Sequence, residues 1–133
     1  MIEIIKPENQ FAFKDESRNI EVFIKREDMI HPFVSGNKFR KLKYKLLQAK
    51  KENKKTLLTF GGAFSNHISA VAMAGKLEGF GTIGIIRGDE LANKVNDNPT
   101  LKFARESGMQ LEFVSREEYS KKKSVDFLEA LRS

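Results

Sequence analysis

The chain has 133 residues, 40% of them hydrophobic, which is enough for one ordinary domain with a core and too little for two. It holds no cysteine, which excludes a disulfide framework, a thiolate nucleophile and Cys-ligated zinc, and its two histidines, His31 and His67, leave little for a His-rich metal site. The net charge of +6 is local, because residues 37–55 carry nine basic side chains and one acid while the remainder is slightly acidic; such a cluster serves an anionic small molecule as readily as a nucleic acid.

The first eight residues include Glu3, Lys6, Pro7 and Glu8 and lack the apolar run of a secretory signal. No later window approaches a membrane span, and a cytoplasmic protein is expected. Short extended pieces are predicted over 2–5, 11–14 and 20–25, the last strongly β-favouring in Val22, Phe23 and Ile24. A loop over 26–36 contains Pro32 and ends on Gly36. From Asn37, a plausible N-cap, Phe39, Leu42, Leu46 and Ala49 recur at spacings of three and four and predict an amphipathic helix.

Beyond Lys55 the pattern alternates: strand 56–60, helix 66–77, strand 82–86, helix 99–107, strand 111–114. Leu57, Leu58 and Ile83 to Ile86 form near-continuous apolar runs, so the expected class is α/β, a parallel sheet with helices on both faces and right-handed crossovers. Gly79, Gly81 and Gly108 punctuate the turns, and Asn98-Pro99 opens a helix. The tail, 116–133, reads as helical through Val125, Phe127, Leu128 and Leu131. A three-strand sheet followed by a helix that leads nowhere is poorly closed, which predicts the front part of a longer protein.

Two junctions carry chemistry. Lys38 follows a glycine turn in the first turn of a helix, where the dipole and the cationic neighbours Arg40 and Lys41 disfavour an ammonium and favour a nucleophilic amine. The plain alternative is one solvated charge among many. Gly61-Gly62 leads a strand into a helix and exposes backbone N–H groups able to hold a carboxylate or a phosphate; Ser65 and Asn66 either join that site or serve as caps. The Gly61-Gly62 junction has neither the G-x-G-x-x-G spacing nor a Gly-Lys-Ser/Thr, which argues against a dinucleotide or P-loop site there. His31 and His67 have no metal-spaced partner and read as structural. Lys25-Arg26-Glu27-Asp28 either faces solvent or braces the lysine loop, and Lys121-Lys122-Lys123 reads as a solvated face.

In order and spacing, 23–28 (Phe-Ile-Lys-Arg-Glu-Asp), Gly36-Asn37-Lys38-x-Arg40-Lys41-Leu42-x-Tyr44 and Gly61-Gly62-x-x-Ser65-Asn66-His67 resemble the 1-aminocyclopropane-1-carboxylate deaminase and D-cysteine desulfhydrase family of pyridoxal-phosphate enzymes, of the tryptophan-synthase-β-like fold (fold type II). The resemblance fades after Val114. It implies pyridoxal 5'-phosphate as cofactor, with Lys38 as the lysine that bonds its aldehyde and then moves protons. It further implies Ser65 beside the substrate as a proton-transfer or carboxylate-binding group, Asn66 on the cofactor's ring oxygen, backbone N–H groups from Ser65 to His67 on the substrate carboxylate, and Lys41 near the cofactor phosphate. The reaction implied is a lyase, deaminase or hydrolase acting on a small amino acid, giving a 2-oxo acid and ammonia. Residues 1–55 would belong to the large domain and 56–133 to a smaller one, in a homodimer. Three positions depart from the family: Ser35 stands where a glycine is common, Phe64 where a polar residue is, and Ser69 where an arginine is. The phosphate-gripping Gly-rich loop, the ring-nitrogen partner and the substrate-facing tyrosine would lie beyond Ser133, so little turnover is expected of these residues alone.

Two other classes compete. The 37–55 cluster would suit a basic nucleic-acid-binding domain, though it lacks interleaved aromatic platforms. A non-catalytic small-molecule sensor on the same scaffold is the other.

Overall fold

A computed structural model describes residues 2–131. Strands β1 (Asn9–Asp15) and β2 (Ile20–Lys25) form an antiparallel hairpin whose register shifts between Phe11 and Phe13. Its turn is organised by Asp15, whose Oδ1 accepts the Ser17 N–H at 3.0 Å and the Ser17 hydroxyl at 2.6 Å, an Asx-type arrangement. The hairpin is apolar on both faces, and Phe11, Phe13, Ile20, Phe23 and Ile24 all stay exposed.

The expected strand over 2–5 does not form. The hairpin ladder begins at Asn9 opposite Lys25, leaving those residues no edge to pair with; the Ile5 N–H donates to the Ile30 carbonyl at 2.8 Å, and Ile2 packs into the core. A single 3₁₀ turn, Glu27–Met29, then leads to helix α1 (Gly36–Lys51). This helix is capped two residues earlier than expected: Ser35 is the N-cap, and Asn37 lies inside the first turn. Gly36 enters it at φ +55, a left-handed conformation that glycine adopts without strain. Phe39, Leu42 and Leu46 are buried as their spacing requires.

Strands β3 (Thr56–Gly61), β4 (Gly81–Arg87) and β5 (Met109–Val114) form a parallel sheet in sequential order. Helix α2 (Asn66–Glu78) links the first pair and α3 (Pro99–Glu106) the second. Adding each strand on the same side of the last places right-handed crossovers on one face, and α2 and α3 pack against each other there. α1 packs on α2, so Phe39 and Leu42 join Ile68, Val71, Ile86, Leu101 and Ala104 in one core.

The second face carries Leu58, Phe60, Ile83 and Ile85 under two short helices, α4 (Arg116–Ser120) and α5 (Val125–Ala130). Phe60 meets Tyr119 at 6.2 Å and Phe127 at 6.4 Å between ring centroids. Helices thus flank both faces, unequally. The tail breaks into two helices rather than one because Ser120 turns its hydroxyl onto the Glu117 carbonyl at 2.6 Å and Ser124 restarts the chain as a new N-cap. A 3₁₀ segment, Asp89–Asp97, was not legible in the sequence; its Leu91 and Val95 pack on the core. Among the described residues no helix is long and apolar enough to cross a membrane.

Candidate functional site

Parallel strands place the N-termini of the helices that follow them at one end of the sheet, the end where open α/β sheets bind ligands. Here the start of α2, the start of α3 and the start of α1 converge on a cleft of about 700 Å³, within the usual range for small-molecule sites. Lys38 and Asn66 line it, together with Asp28, Gly36, Ser69 and Thr100. Lys38 is half-buried and makes no ion pair among the described residues. Asn66 is exposed, with its side chain and its N–H unpartnered among the described residues.

Its neighbours in the motif face differently. The Ser65 Oγ accepts the N–H groups of His67 at 3.2 Å and Ile68 at 3.4 Å, and the Ser65 N–H donates to the Gly62 carbonyl at 3.1 Å. Ser65 is therefore the N-cap of α2, and of the three backbone donors from Ser65 to His67 only that of Asn66 has no acceptor among the described residues. The Ser65 hydroxyl hydrogen has no acceptor among the described residues. Gly61 is needed for packing, since a Cβ there would lie 2.5 Å from Ile68 Cγ1, whereas Gly62 has open space around it.

His67 turns away from the cleft, its Nε2 2.9 Å from Thr59 Oγ1. Burial pushes its pKa below the ordinary value, and the ammonium groups of Lys38, Lys41 and Lys45 push it the same way. These three lysines recur at three and four residues along α1 and so share a stripe. Lys41 is exposed on that stripe. Arg40 is not part of the field at Lys38 in the way its sequence position suggests: Glu27 neutralises it, accepting Nε at 2.8 Å and Nη2 at 2.6 Å. The charged run before the loop does brace it, with Arg26 also held by Asp28 at 2.7 Å.

Ser69 and Thr100 add hydroxyls to the lining and Phe33 and Phe103 an aromatic wall. Thr100 and Phe103 were missed in the sequence, although the rule that helix N-termini gather at one sheet end would have pointed to Asn98-Pro99-Thr100. Phe64 is largely exposed. The lining suits a molecule with a carbonyl and an anionic group: one half-buried amine, free amide and N–H donors, and hydroxyls. No group of three or more His, Asp or Glu side chains gathers as a metal site among the described residues.

No family model matches the chain. It is 33% identical over 116 residues, 84% of its length, to the bifunctional D-cysteine desulfhydrase/1-aminocyclopropane-1-carboxylate deaminase, mitochondrial, of Arabidopsis thaliana. To the D-cysteine desulfhydrase of Salmonella paratyphi C it is 43% identical over 58 residues, 43% of its length. The chain spans 28% and 18% of the length of these curated relatives. In fold it is similar to a hydrogen sulfide-producing enzyme from Fusobacterium nucleatum, with a TM-score of 0.60 at 14% identity, covering 95% of this chain and 39% of that one. Deaminase and desulfhydrase are the activities these names carry, and hydrolase, among the expectations above, does not fit them. Order of motifs, sheet architecture and these matches agree: the chain is a relative of the 1-aminocyclopropane-1-carboxylate deaminase and D-cysteine desulfhydrase family, matching its members over a part of their length.

Proposed function

We propose that the chain is part of a pyridoxal-phosphate enzyme that eliminates the β-substituent of D-cysteine or opens 1-aminocyclopropane-1-carboxylate, giving a 2-oxo acid and ammonia. The observation that carries this reading is Lys38: a half-buried amine without an acidic partner among the described residues, in a cleft it shares with the start of α2. Pyridoxal 5'-phosphate, when bound, supplies an electron-withdrawing ring able to take up the electron pair of the bond broken beside the amino group.

The chain's own residues would divide the remaining work. Lys38 would hold the cofactor through its Nζ and would hold and move a proton at that atom. Asn66 offers a side-chain amide to the ring oxygen and its N–H to the substrate carboxylate, at the positive end of the α2 dipole. The Ser65 hydroxyl donates to that carboxylate or passes a proton while its oxygen continues to cap the helix. His67 contributes through its N–H, which the carboxylate reaches only if Ser65 Oγ yields it. Lys41 and the lysine stripe favour a phosphate on their side of the site.

On this reading residues 1–55 belong to the large domain and 56–133 to the smaller one, and the whole enzyme works as a cytoplasmic homodimer. The test is to add pyridoxal phosphate to the chain, follow the absorbance band at the edge of the visible, reduce with borohydride and map the modified residue. Modification centred on Lys38 and lost in Lys38→Ala is the expected result; label spread evenly over the lysines overturns the proposal.

A further inference from the structure

The loop that delivers Lys38 is fastened by groups the chemistry above does not use. The Nδ1 of His31 accepts the N–H of Phe33 at 3.1 Å and of Val34 at 3.0 Å. Two donors meeting at one ring nitrogen require its lone pair, which puts the ring proton on Nε2. The turn this closes leaves Val34 fully buried, 0% exposed, and presents the Phe33 ring to Phe103 of α3, stacked at 5.0 Å and 23°. Both rings line the cleft that Lys38 enters. Val34 and Lys38 are separated by Ser35, Gly36 and Asn37, and α1 is already under way at Gly36, so fixing Val34 and Phe33 fixes where the lysine enters. Glu27 and Arg40 hold the other end of the same loop.

We infer that His31 is a positioning residue for Lys38, closing the turn that stacks Phe33 on Phe103 and so anchors the lysine loop to α3 across the cleft. The inference rests on Lys38 being the reacting amine. It assigns His31 a task that neither metal binding nor proton transfer requires, and it makes Phe103 the anchor on the sheet side.

The test compares the wild-type chain with His31→Asn, His31→Leu and Phe103→Leu. Asparagine sets Oδ1 near the place of Nδ1 and keeps the acceptor; leucine keeps bulk and removes it. Three readouts are taken: amide hydrogen exchange at Phe33 and Val34, the acetylation rate of Lys38 relative to the other lysines, and the share of borohydride-fixed pyridoxal phosphate on Lys38. In His31→Leu, exchange at both amides is expected to quicken by about fivefold to tenfold, the loss of roughly one net hydrogen bond at each. Lys38 acetylation should rise as the loop loosens while its share of pyridoxal phosphate falls, and asparagine should restore all three. Phe103→Leu should move the two lysine readouts and leave the amides protected. Unchanged exchange and unchanged Lys38 acetylation in a folded His31→Leu overturn the inference, as does failure of asparagine to rescue at wild-type melting temperature. If wild-type Lys38 takes no preferential pyridoxal phosphate, the enzyme reading fails by itself, and exchange with acetylation still decides the role of His31.

Discussion

Arg40 reaches back thirteen residues to Glu27 and grips it with two parallel bonds, Nε to Oε2 at 2.8 Å and Nη2 to Oε1 at 2.6 Å. The fork matches the carboxylate as only arginine can, and it ties the 3₁₀ turn before the lysine loop to the first turns of α1. The Arg40 hydrogen bond, ahead of its charge and that of Lys25, holds the Glu27 carboxyl below its ordinary value of 4.5. A depressed carboxyl stabilises the fold above its unfolded pKa, and that contribution disappears as pH falls through the folded value. Glu27→Gln should therefore lower the melting temperature at neutral pH, with the gap from wild type closing below about pH 4.5. A gap that persists at low pH would show that the pair acts through packing.

His67 marks a second loss of stability on acidification, beginning at higher pH than that of Glu27. Its pKa lies below 6.5 because burial and then Lys38, Lys41 and Lys45 oppose a charged ring. Below pH 6.5 the unfolded chain takes up a proton that the folded chain resists, so stability is full above that pH and declines as pH falls toward the folded pKa. His67→Gln should flatten the decline, and Lys41→Met with Lys45→Met should raise the His67 titration midpoint seen by NMR. An unmoved midpoint would remove the lysine stripe as a source of field at this end of the sheet.

Asn98 caps α3, its buried Oδ1 accepting the Leu101 N–H at 2.9 Å, with Pro99 next in the first turn. Asn98→Ala should cost about 1–2 kcal/mol in urea unfolding, the upper part of the capping range because the orphaned N–H is buried. Asn98→Asp should recover most of it. The same substitution would loosen the helix that presents Thr100 and Phe103 to the cleft.

Gly75 is where α2 lies closest to the sheet: a Cβ there would come within 2.2 Å of Thr82 Cγ2 and 3.2 Å of the Phe80 carbonyl oxygen. Helix propensity favours Gly75→Ala by about 1 kcal/mol. The clash outweighs it, because Thr82 is itself buried and overpacking costs roughly 1–3 kcal/mol. A net loss of up to about 2 kcal/mol is expected, and Thr82→Ser, which removes the offending methyl, should restore part of it. Additivity of the two substitutions would mean the contact is relieved by other movements.

Much of the architecture was legible because it rests on local rules. The three-four spacing of Phe39, Leu42 and Leu46 fixed a buried helix face, Asn98-Pro99 marked a helix start, and Gly79 and Gly108 take the positive φ expected of them after helices. Lys38 and Asn66 were brought together by the resemblance alone, because α1 follows the hairpin and not a strand of the parallel sheet. What could not be read depended on tertiary pairing. Residues 2–5 have strand-like composition and no partner edge, and Arg40 looks like a neighbour of Lys38 until Glu27, thirteen residues away, engages it. His31 read as structural and Ser65 was open between a ligand and a cap; the coordinates show Nδ1 and Oγ each accepting local N–H groups.

The β1–β2 ribbon lies outside all this reinforcement. Its rings meet each other, Phe11 on Phe23 at 5.6 Å, yet Phe11, Phe13, Ile20, Phe23 and Ile24 stay exposed among the described residues, and two strands alone are marginal in water. Such a ribbon frays independently of the sheet behind it, and while it is open its unpaired edges and phenylalanines are the part of the molecule most prone to self-association. Colloidal behaviour in solution would then be set by residues 9–25, and thermal stability by the core that α1, α2 and α3 share.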